Sequence, residues 1–275
     1  MIKNIALAVT MAAFAAVGNA SERNDIPSCY DYAQLSEYKP SQPNREIFVI
    51  VDKTVNLDTN LKKSVHQQLQ HFNQSGDKVT IVTFSALAQG DYTDIVFSGL
   101  FESGLSSEQR NSMNRMKLKK LEHCLNQQRG AINSAHKLLA SAFPTEQDSY
   151  PKTELVGTIL NLSTDLVARS NAERKIVLVV SDMLENSDSL SFYRKGSVYI
   201  PSASDALATI DKAGFKGDFD RSDIYVIGAG FIEGAKRYSS QKSVNELEIF
   251  WRSVIAKNNG QLRQFGKPSL LTQIQ

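Results

Sequence analysis

This chain of 275 residues has almost no excess of either charge, only two cysteines and few long apolar runs. The 31 basic and 29 acidic residues leave a formal net charge of +2, and no long basic stripe is present, which argues against a nucleic-acid partner. Hydrophobic residues make up 41% and charged residues 22% of the chain. Those proportions are typical of a globular protein and exclude a disordered or fibrous one.

The first twenty residues contain the one sustained apolar run. Lys3 precedes the run at 5–17, and Gly18 and Ala20 are small residues of the kind that a signal peptidase prefers. The run is shorter than the roughly 20 residues that a membrane-spanning helix needs. We therefore expect 1–20 to be a cleaved signal peptide and the mature protein to be periplasmic or secreted, without membrane insertion. The alternative is an uncleaved N-terminal anchor.

Cys29 and Cys124 are the only cysteines in the chain. Two cysteines in an oxidising compartment can pair, so we expect a disulfide that ties the N-terminal segment to the helical region around Cys124. The alternative is two buried thiols. A zinc site is not favoured, because no histidine spacing matches the cysteines, and His66 and His71 are too far apart in sequence to share a helical face.

The pattern of apolar residues predicts one domain over 45–275, preceded by an irregular, proline-containing arm at 21–44. Apolar runs rich in β-branched residues predict strands at 46–51, 78–85, 174–182 and 222–230, with an edge strand at 92–101 and a last short strand at 261–266. Helical spacing predicts helices at 57–74, 106–143, 153–169 and 244–260. This alternation predicts an α/β fold with a doubly wound, mostly parallel sheet flanked by helices.

Polar side chains cluster where strands of the predicted sheet end. Asp52 and Thr54 follow the first strand, Asp182 ends a later one, and Thr153 opens a helix as its predicted N-cap. Ligands of doubly wound sheets bind at the carboxyl ends of the strands. Hard oxygen ligands of this kind suit Mg²⁺. Helix capping by the two aspartates is the alternative that needs no metal.

In their order and placement these residues resemble the metal-ion-dependent adhesion site of von Willebrand factor A-type domains. That family carries D-x-[ST]-x-S, then a separate threonine and a later aspartate. Asp52, Thr54, Thr153 and Asp182 match the pattern, whereas Asn56 stands where a serine is expected. We expect the amide oxygen of Asn56 to join these four residues as a metal ligand. The resemblance spans roughly 45–265. It implies a non-enzymatic protein-binding module that holds one divalent cation, Mg²⁺ or another, completed by an acidic group of a protein partner.

An enzymatic alternative starts from the same Asp52. The stretch Asp52-Lys53-Thr54 is similar to the nucleophile motif of P-type ATPases and haloacid-dehalogenase-like phosphatases, in which the aspartate attacks phosphorus. Lys175 would then be the required lysine. Thr54 stands where most of these phosphatases place an acid/base aspartate, which disfavours this alternative. The stretch 228–234, GAGFIEG, comes too late in the chain for a dinucleotide fingerprint.

The stretch 183–203, directly after Asp182, is predicted to be irregular. It contains aromatic and arginine residues of the kind that are enriched in interfaces, namely Phe192, Tyr193, Arg194 and Tyr199. We expect these four residues to contact the partner. The alternative is a β-hairpin packed on the domain.

Overall fold

The computed structural model describes residues 23–85, 93–144, 153–194, 197–232 and 237–275. Its strands are β1 (Arg45–Asp52), β2 (Asp77–Phe84), β3 (Thr93–Leu100), β4 (Arg174–Val180), β5 (Tyr193–Arg194), β6 (Ser197–Val198), β7 (Asp223–Ile227), β8 (Phe231–Ile232), β9 (Arg237–Tyr238) and β10 (Gln261–Phe265). Its helices are α1 (Cys29–Tyr32), α2 (Thr59–Leu69), α3 (Ser107–Ser112), α4 (Arg115–Gln128), α5 (Ile132–Ala142), α6 (Leu155–Leu162), α7 (Ala203–Lys212) and α8 (Gln241–Lys257). The predicted signal peptide at 1–20 lies outside the described residues.

Six strands form the main sheet in the order β10-β7-β4-β1-β2-β3. All neighbours are parallel except β2 and β3, which pair antiparallel at the edge. The chain adds β2 and β3 on one side of β1 and then returns to add β4, β7 and β10 on the other side. The expected α/β fold, with a doubly wound and mostly parallel sheet, is therefore confirmed.

Helices cover both faces of the sheet because its central strands are apolar on both faces. All residues of β2, and all of β1 after Arg45, are buried. Helices α2 and α5 pack on one face, and α6, α7 and α8 pack on the other. Trp251 of α8 belongs to the core beneath α6, α7 and α8 and has no exposed surface.

The N-terminal arm lies along the edge of the sheet and is held there by several contacts. Its backbone pairs with β3 through Asp25, whose amide donates to the Ser98 carbonyl at 2.6 Å. The predicted disulfide between Cys29 and Cys124 is present and joins α1 to α4. The buried Glu102 carboxylate accepts a further hydrogen bond from the Cys29 amide at 2.7 Å.

Three differences from the predicted elements concern helices. The predicted helix at 106–143 is divided into α3, α4 and α5, with a 3₁₀ turn at Arg129–Ala131 between α4 and α5. Helix α7 was not predicted, because only Ala206 and Ile210 are buried along it. Helix α6 begins at Leu155 and continues into a π-helical turn at Ser163–Val167. No helix in the described ranges is long and apolar enough to cross a membrane.

Candidate functional site

Asp52 ends β1 where the order of strands in the sheet reverses, and its side chain is almost wholly buried. Its Oδ1 accepts hydrogen bonds from the Thr54 amide at 2.8 Å and from the Thr54 hydroxyl at 2.6 Å. Its Oδ2 accepts one from the Ser181 hydroxyl, just beyond β4, at 2.7 Å. Asp52 therefore links the ends of β1 and β4 at the switch point, where ligands of such sheets bind. It does not cap α2, whose N-cap is Asp58.

Thr153 reaches this cluster from the other side. Its hydroxyl donates to the Thr54 hydroxyl at 2.9 Å, so a chain of hydrogen bonds runs from Thr153 through Thr54 to Asp52. The prediction that Thr153 caps the following helix is wrong, because Glu154 occupies the N-cap position of α6. Thr153 instead exchanges two backbone hydrogen bonds with Asn186, both at 3.1 Å. That pairing fixes Thr153 beside the loop that follows β4.

Asn56 does not join the cluster. Its side-chain oxygen accepts a hydrogen bond from the Lys62 ammonium group at 2.7 Å. An oxygen that faces an ammonium group in this way is a poor cation ligand, since a metal there would meet the positive charge. The expectation that Asn56 contributes an amide oxygen to the metal therefore does not fit the structure.

Asp182 directly follows Ser181, whose hydroxyl binds Asp52, so it lies at the same end of the sheet as Asp52. Its Oδ1 accepts a hydrogen bond from the Leu184 amide at 2.8 Å, and its backbone carbonyl accepts one from the Gly230 amide at 2.8 Å. The pKa of the Tyr193 hydroxyl is raised to about 12, first by burial and then by the negative charge of Asp182. Asp182 is thus held in a turn of the loop and lies within electrostatic reach of Tyr193.

The Thr54 and Thr153 hydroxyl groups fit a small divalent cation. Mg²⁺ holds its oxygen ligands at about 2.0–2.1 Å in octahedral geometry, so neighbouring ligands lie about 2.9 Å apart. The two hydroxyl oxygens have that separation, and the Asp52 carboxylate lies directly behind Thr54. Within the described part of the chain, no group of three or more histidine, cysteine or acidic side chains is arranged to bind a metal.

The phosphatase alternative fails on the position of Lys175. Lys175 lies near the start of β4, whereas Asp52 lies at the end of the parallel neighbouring strand β1. The two residues are therefore at opposite ends of the strands. The Lys175 ammonium group pairs with Asp220 at 2.6 Å. Lys175 therefore cannot reach a phosphate on Asp52.

Glu185 is a residue of this region that the sequence did not mark. Its carboxylate is almost wholly buried and accepts a hydrogen bond from the Val156 amide at 2.6 Å, in the first turn of α6. Burial raises the pKa of the Glu185 carboxyl to about 7, against the opposing effect of the hydrogen bond from the Val156 amide and of the nearby donor groups of Ser187 and Leu155. Glu185 takes the capping role predicted for Thr153, and only the packing of the β4 loop against α6 reveals it.

The loop after Asp182 forms a hairpin from β5 and β6. Phe192 is fully buried and packs edge-on against Phe250 at 4.9 Å between ring centroids, so its assignment as a partner-binding residue is wrong. Tyr193 and Tyr199 are 40% and 50% exposed, and the Arg194 guanidinium lies 5.2 Å from the Tyr199 ring centroid. Three of the four expected residues thus face solvent beside Asp182.

The glycines after β7 have a packing role. Gly228 has a φ of 101°, and a Cβ there would lie 2.9 Å from the Ser181 carbonyl oxygen and 3.0 Å from a methyl group of Leu57. The close approach brings the end of β7 against Ser181, so packing at the end of the strand explains the glycine at 228.

Comparison with known proteins adds little beyond the fold. No protein-family model and no curated protein matches the chain. It is similar to an aerotolerance-related membrane protein from Bacteroides fragilis with multiple mutations to serine, at 15% identity and a TM-score of 0.33, over 80% of this chain and 89% of that one. It is also similar to the open pilus adhesin SpaC from Lactobacillus rhamnosus GG, at 9% identity and a TM-score of 0.38, over 79% of this chain and 27% of that one. At this level of similarity neither structure bears on the site residues.

Proposed function

We propose that this chain is an exported, von Willebrand A-like protein-binding module that holds one divalent cation at the carboxyl ends of β1 and β4. The observation that carries the proposal is the pair of hydroxyl oxygens of Thr54 and Thr153, 2.9 Å apart and backed by Asp52. Mg²⁺ suits this arrangement because it accepts neutral oxygens and retains water in its other positions.

The charge of the site supports a protein partner with an acidic side chain. Asp52 and Asp182 are carboxylates at one strand edge, and a cation relieves their repulsion. Two carboxylates and two neutral hydroxyls leave the cation able to attract a further carboxylate in an open position. The exposed Tyr193, Arg194 and Tyr199 of the hairpin flank the site and would contact the same partner.

Export is supported by two features of the chain. The apolar segment at 1–20 has the pattern of a signal peptide. The Cys29–Cys124 disulfide is a bond of a kind that persists in oxidising compartments outside the cytoplasm.

Calorimetric titration and thermal unfolding of chelator-stripped protein test the cation site. Mg²⁺ at 100 times its dissociation constant would stabilise the fold by about 2.7 kcal/mol. For a chain of this size that corresponds to a rise in Tm of ~5–10 °C. Thr54→Val and Thr153→Val should each remove the rise, since each deletes one hydroxyl at nearly constant volume. Thr209→Val is the matched control, because the Thr209 hydroxyl donates only to the Asp205 carbonyl of its own helix.

Each variant is compared with its own metal-free form, so that loss of the hydrogen bond to Asp52 is not mistaken for loss of metal. Immobilised protein should then retain an envelope protein in Mg²⁺ and release it in chelator, and the valine variants should not retain it. Absence of both heat and thermal shift with millimolar Mg²⁺, Mn²⁺ and Ca²⁺ would overturn the proposal. Hydrogen bonds such as that between Ser181 and Asp52 would then hold the ends of β1 and β4 together without a cation.

A further inference from the structure

Two histidines from different helices meet on the face of the sheet that carries α2 and α5. The Nδ1 atoms of His66 on α2 and His136 on α5 lie 3.0 Å apart. Their rings are 5.2 Å apart between centroids and tilted by 38°. Both side chains are half-buried, so one side of the pair remains open to solvent.

Both imidazoles are disposed to be neutral. Burial lowers the pKa of His66, and burial together with the nearby His66 lowers the pKa of His136. The short contact between two Nδ1 atoms requires that one carries a hydrogen and the other presents a lone pair. One neutral ring therefore carries its hydrogen on Nδ1 and the other carries it on Nε2. A shift of the first ring to the Nε2–H tautomer leaves two Nδ1 lone pairs as potential metal ligands.

The surroundings combine an apolar wall with one positive charge. The Phe143 ring lies edge-on to His66, with centroids 6.0 Å apart. The Lys62 ammonium group lies 5.5 Å from the centroid of that ring. The apolar wall limits the motion of the rings, whereas the ammonium group weakens the binding of any cation.

The two nitrogens are close enough to become ligands of one metal ion. Imidazole nitrogens bind divalent transition metals at about 2.0–2.1 Å, which places two ligands about 2.9 Å apart at right angles and about 3.3 Å apart at tetrahedral angles. The observed 3.0 Å is a hydrogen-bond distance close to both values, so small rotations of the rings suffice for either arrangement. Right-angle positions belong to square-planar and octahedral geometry, which Cu²⁺ and Ni²⁺ prefer with nitrogen ligands.

We propose that His66 and His136 form a binding site for a late divalent transition metal, with Cu²⁺ preferred over Ni²⁺ and Zn²⁺. Imidazole nitrogen suits these ions, and Cu²⁺ binds such ligands more tightly than Ni²⁺ or Zn²⁺ does. Binding requires the ring that carries its hydrogen on Nδ1 to hold it on Nε2 instead, with no net loss of a proton. It also turns each ring toward the solvent side and leaves the remaining metal positions to water. The site is independent of the proposed cation site, whose hydroxyl and carboxylate oxygens favour Mg²⁺.

The four histidines of the chain supply their own controls. His66→Gln and His136→Gln remove one ligand each, whereas His71→Gln and His123→Gln alter exposed histidines outside the pair. Titration of the purified, chelator-stripped protein with CuCl₂ should show one site of micromolar affinity. Its affinity should fall at least about tenfold in either variant of the pair and stay unchanged in both controls.

Electron paramagnetic resonance of the Cu²⁺ complex should show coupling to nitrogen in wild-type protein and a changed spectrum in the His66 and His136 variants. If these variants do not fold, a protection experiment on wild-type protein replaces them. Diethyl pyrocarbonate modifies accessible histidines, mass spectrometry identifies the modified residues, and Cu²⁺ should protect His66 and His136. Equal Cu²⁺ affinity in wild-type and His66→Gln protein, or no protection of the pair, would overturn the proposal.

Discussion

The buried carboxyl group of Glu185 should make the stability of this protein fall as the pH rises. Its pKa is ordinarily 4.5 and is raised to about 7 in the folded chain, mainly because burial disfavours the charged form. Below about pH 4.5 the carboxyl is protonated in both the folded and the unfolded chain. Between pH 4.5 and about 7 the unfolded chain releases the proton while the folded chain keeps it, so the free energy of unfolding decreases.

The size of the effect follows from the two pKa values. At about 1.4 kcal/mol per pH unit, a rise from 4.5 to about 7 corresponds to a loss of about 3 kcal/mol. The loss is complete above pH 7. It is a large fraction of the roughly 5–15 kcal/mol that stabilises a typical folded domain.

Glu185→Gln isolates this contribution, because glutamine keeps an acceptor for the Val156 amide and stays neutral at every pH. Urea unfolding followed by far-UV circular dichroism gives the free energy of unfolding at pH 4.5 and at pH 8. The difference between variant and wild type should shift by about 3 kcal/mol in favour of the variant at the higher pH. Glu37→Gln, at an exposed position, should leave the pH dependence of the wild type unchanged.

A constant difference between Glu185→Gln and wild type at the two pH values would refute the reasoning. It would mean that the Glu185 carboxyl is solvated in the folded protein, and that the β4 loop does not pack on α6 as the structure shows.

The remaining predictions concern the disulfide and the hairpin. Protein recovered from outside the cytoplasm should have the mass of residues 21–275 less two hydrogens. Replacing Cys29 and Cys124 with serine should lower the free energy of unfolding by up to about 4–5 kcal/mol, because the bond closes a loop with a sequence separation of 95 residues. A mass that includes Met1, or free thiols in native protein, would contradict this. Phe192→Ala should cost about 3–5 kcal/mol in urea unfolding because the ring is fully buried, whereas Tyr193→Ala should cost within about 1 kcal/mol and act instead on partner binding.

The sheet could be predicted from the sequence because its central strands are buried on both faces. The mainly apolar runs at β1, β2, β4 and β7 are too short for typical helices, so buried strands are the structure that they predict. Helix α7 has only two buried residues and so leaves little periodic signal. The sequence of the hairpin also indicates which of its aromatic residues can face a partner. Phe192 and Tyr193 are adjacent in an extended segment, so their side chains point to opposite sides and only one of them can face a partner.

The candidate site was less predictable than the fold because its contacts join distant parts of the chain. The ends of β1 and β4 could be placed together from strand order alone, and Asp52, Thr54 and Asp182 do lie there. The pairing of Asn56 with Lys62 depends on a side-chain conformation that no spacing predicts. His66 and His136 are 70 residues apart and meet only because α2 and α5 pack side by side.

The indole nitrogen of Trp251 donates a hydrogen bond to the Met183 carbonyl at 2.9 Å. This is the only tryptophan in the chain, it is shielded from water, and its partner is the residue directly after Asp182. Indole emission shifts with the polarity and hydrogen bonding of its surroundings, so the intrinsic fluorescence of the protein should follow displacements of the loop beside the candidate site. The unlabelled molecule thus contains an optical reporter of whatever binds at the carboxyl ends of β1 and β4.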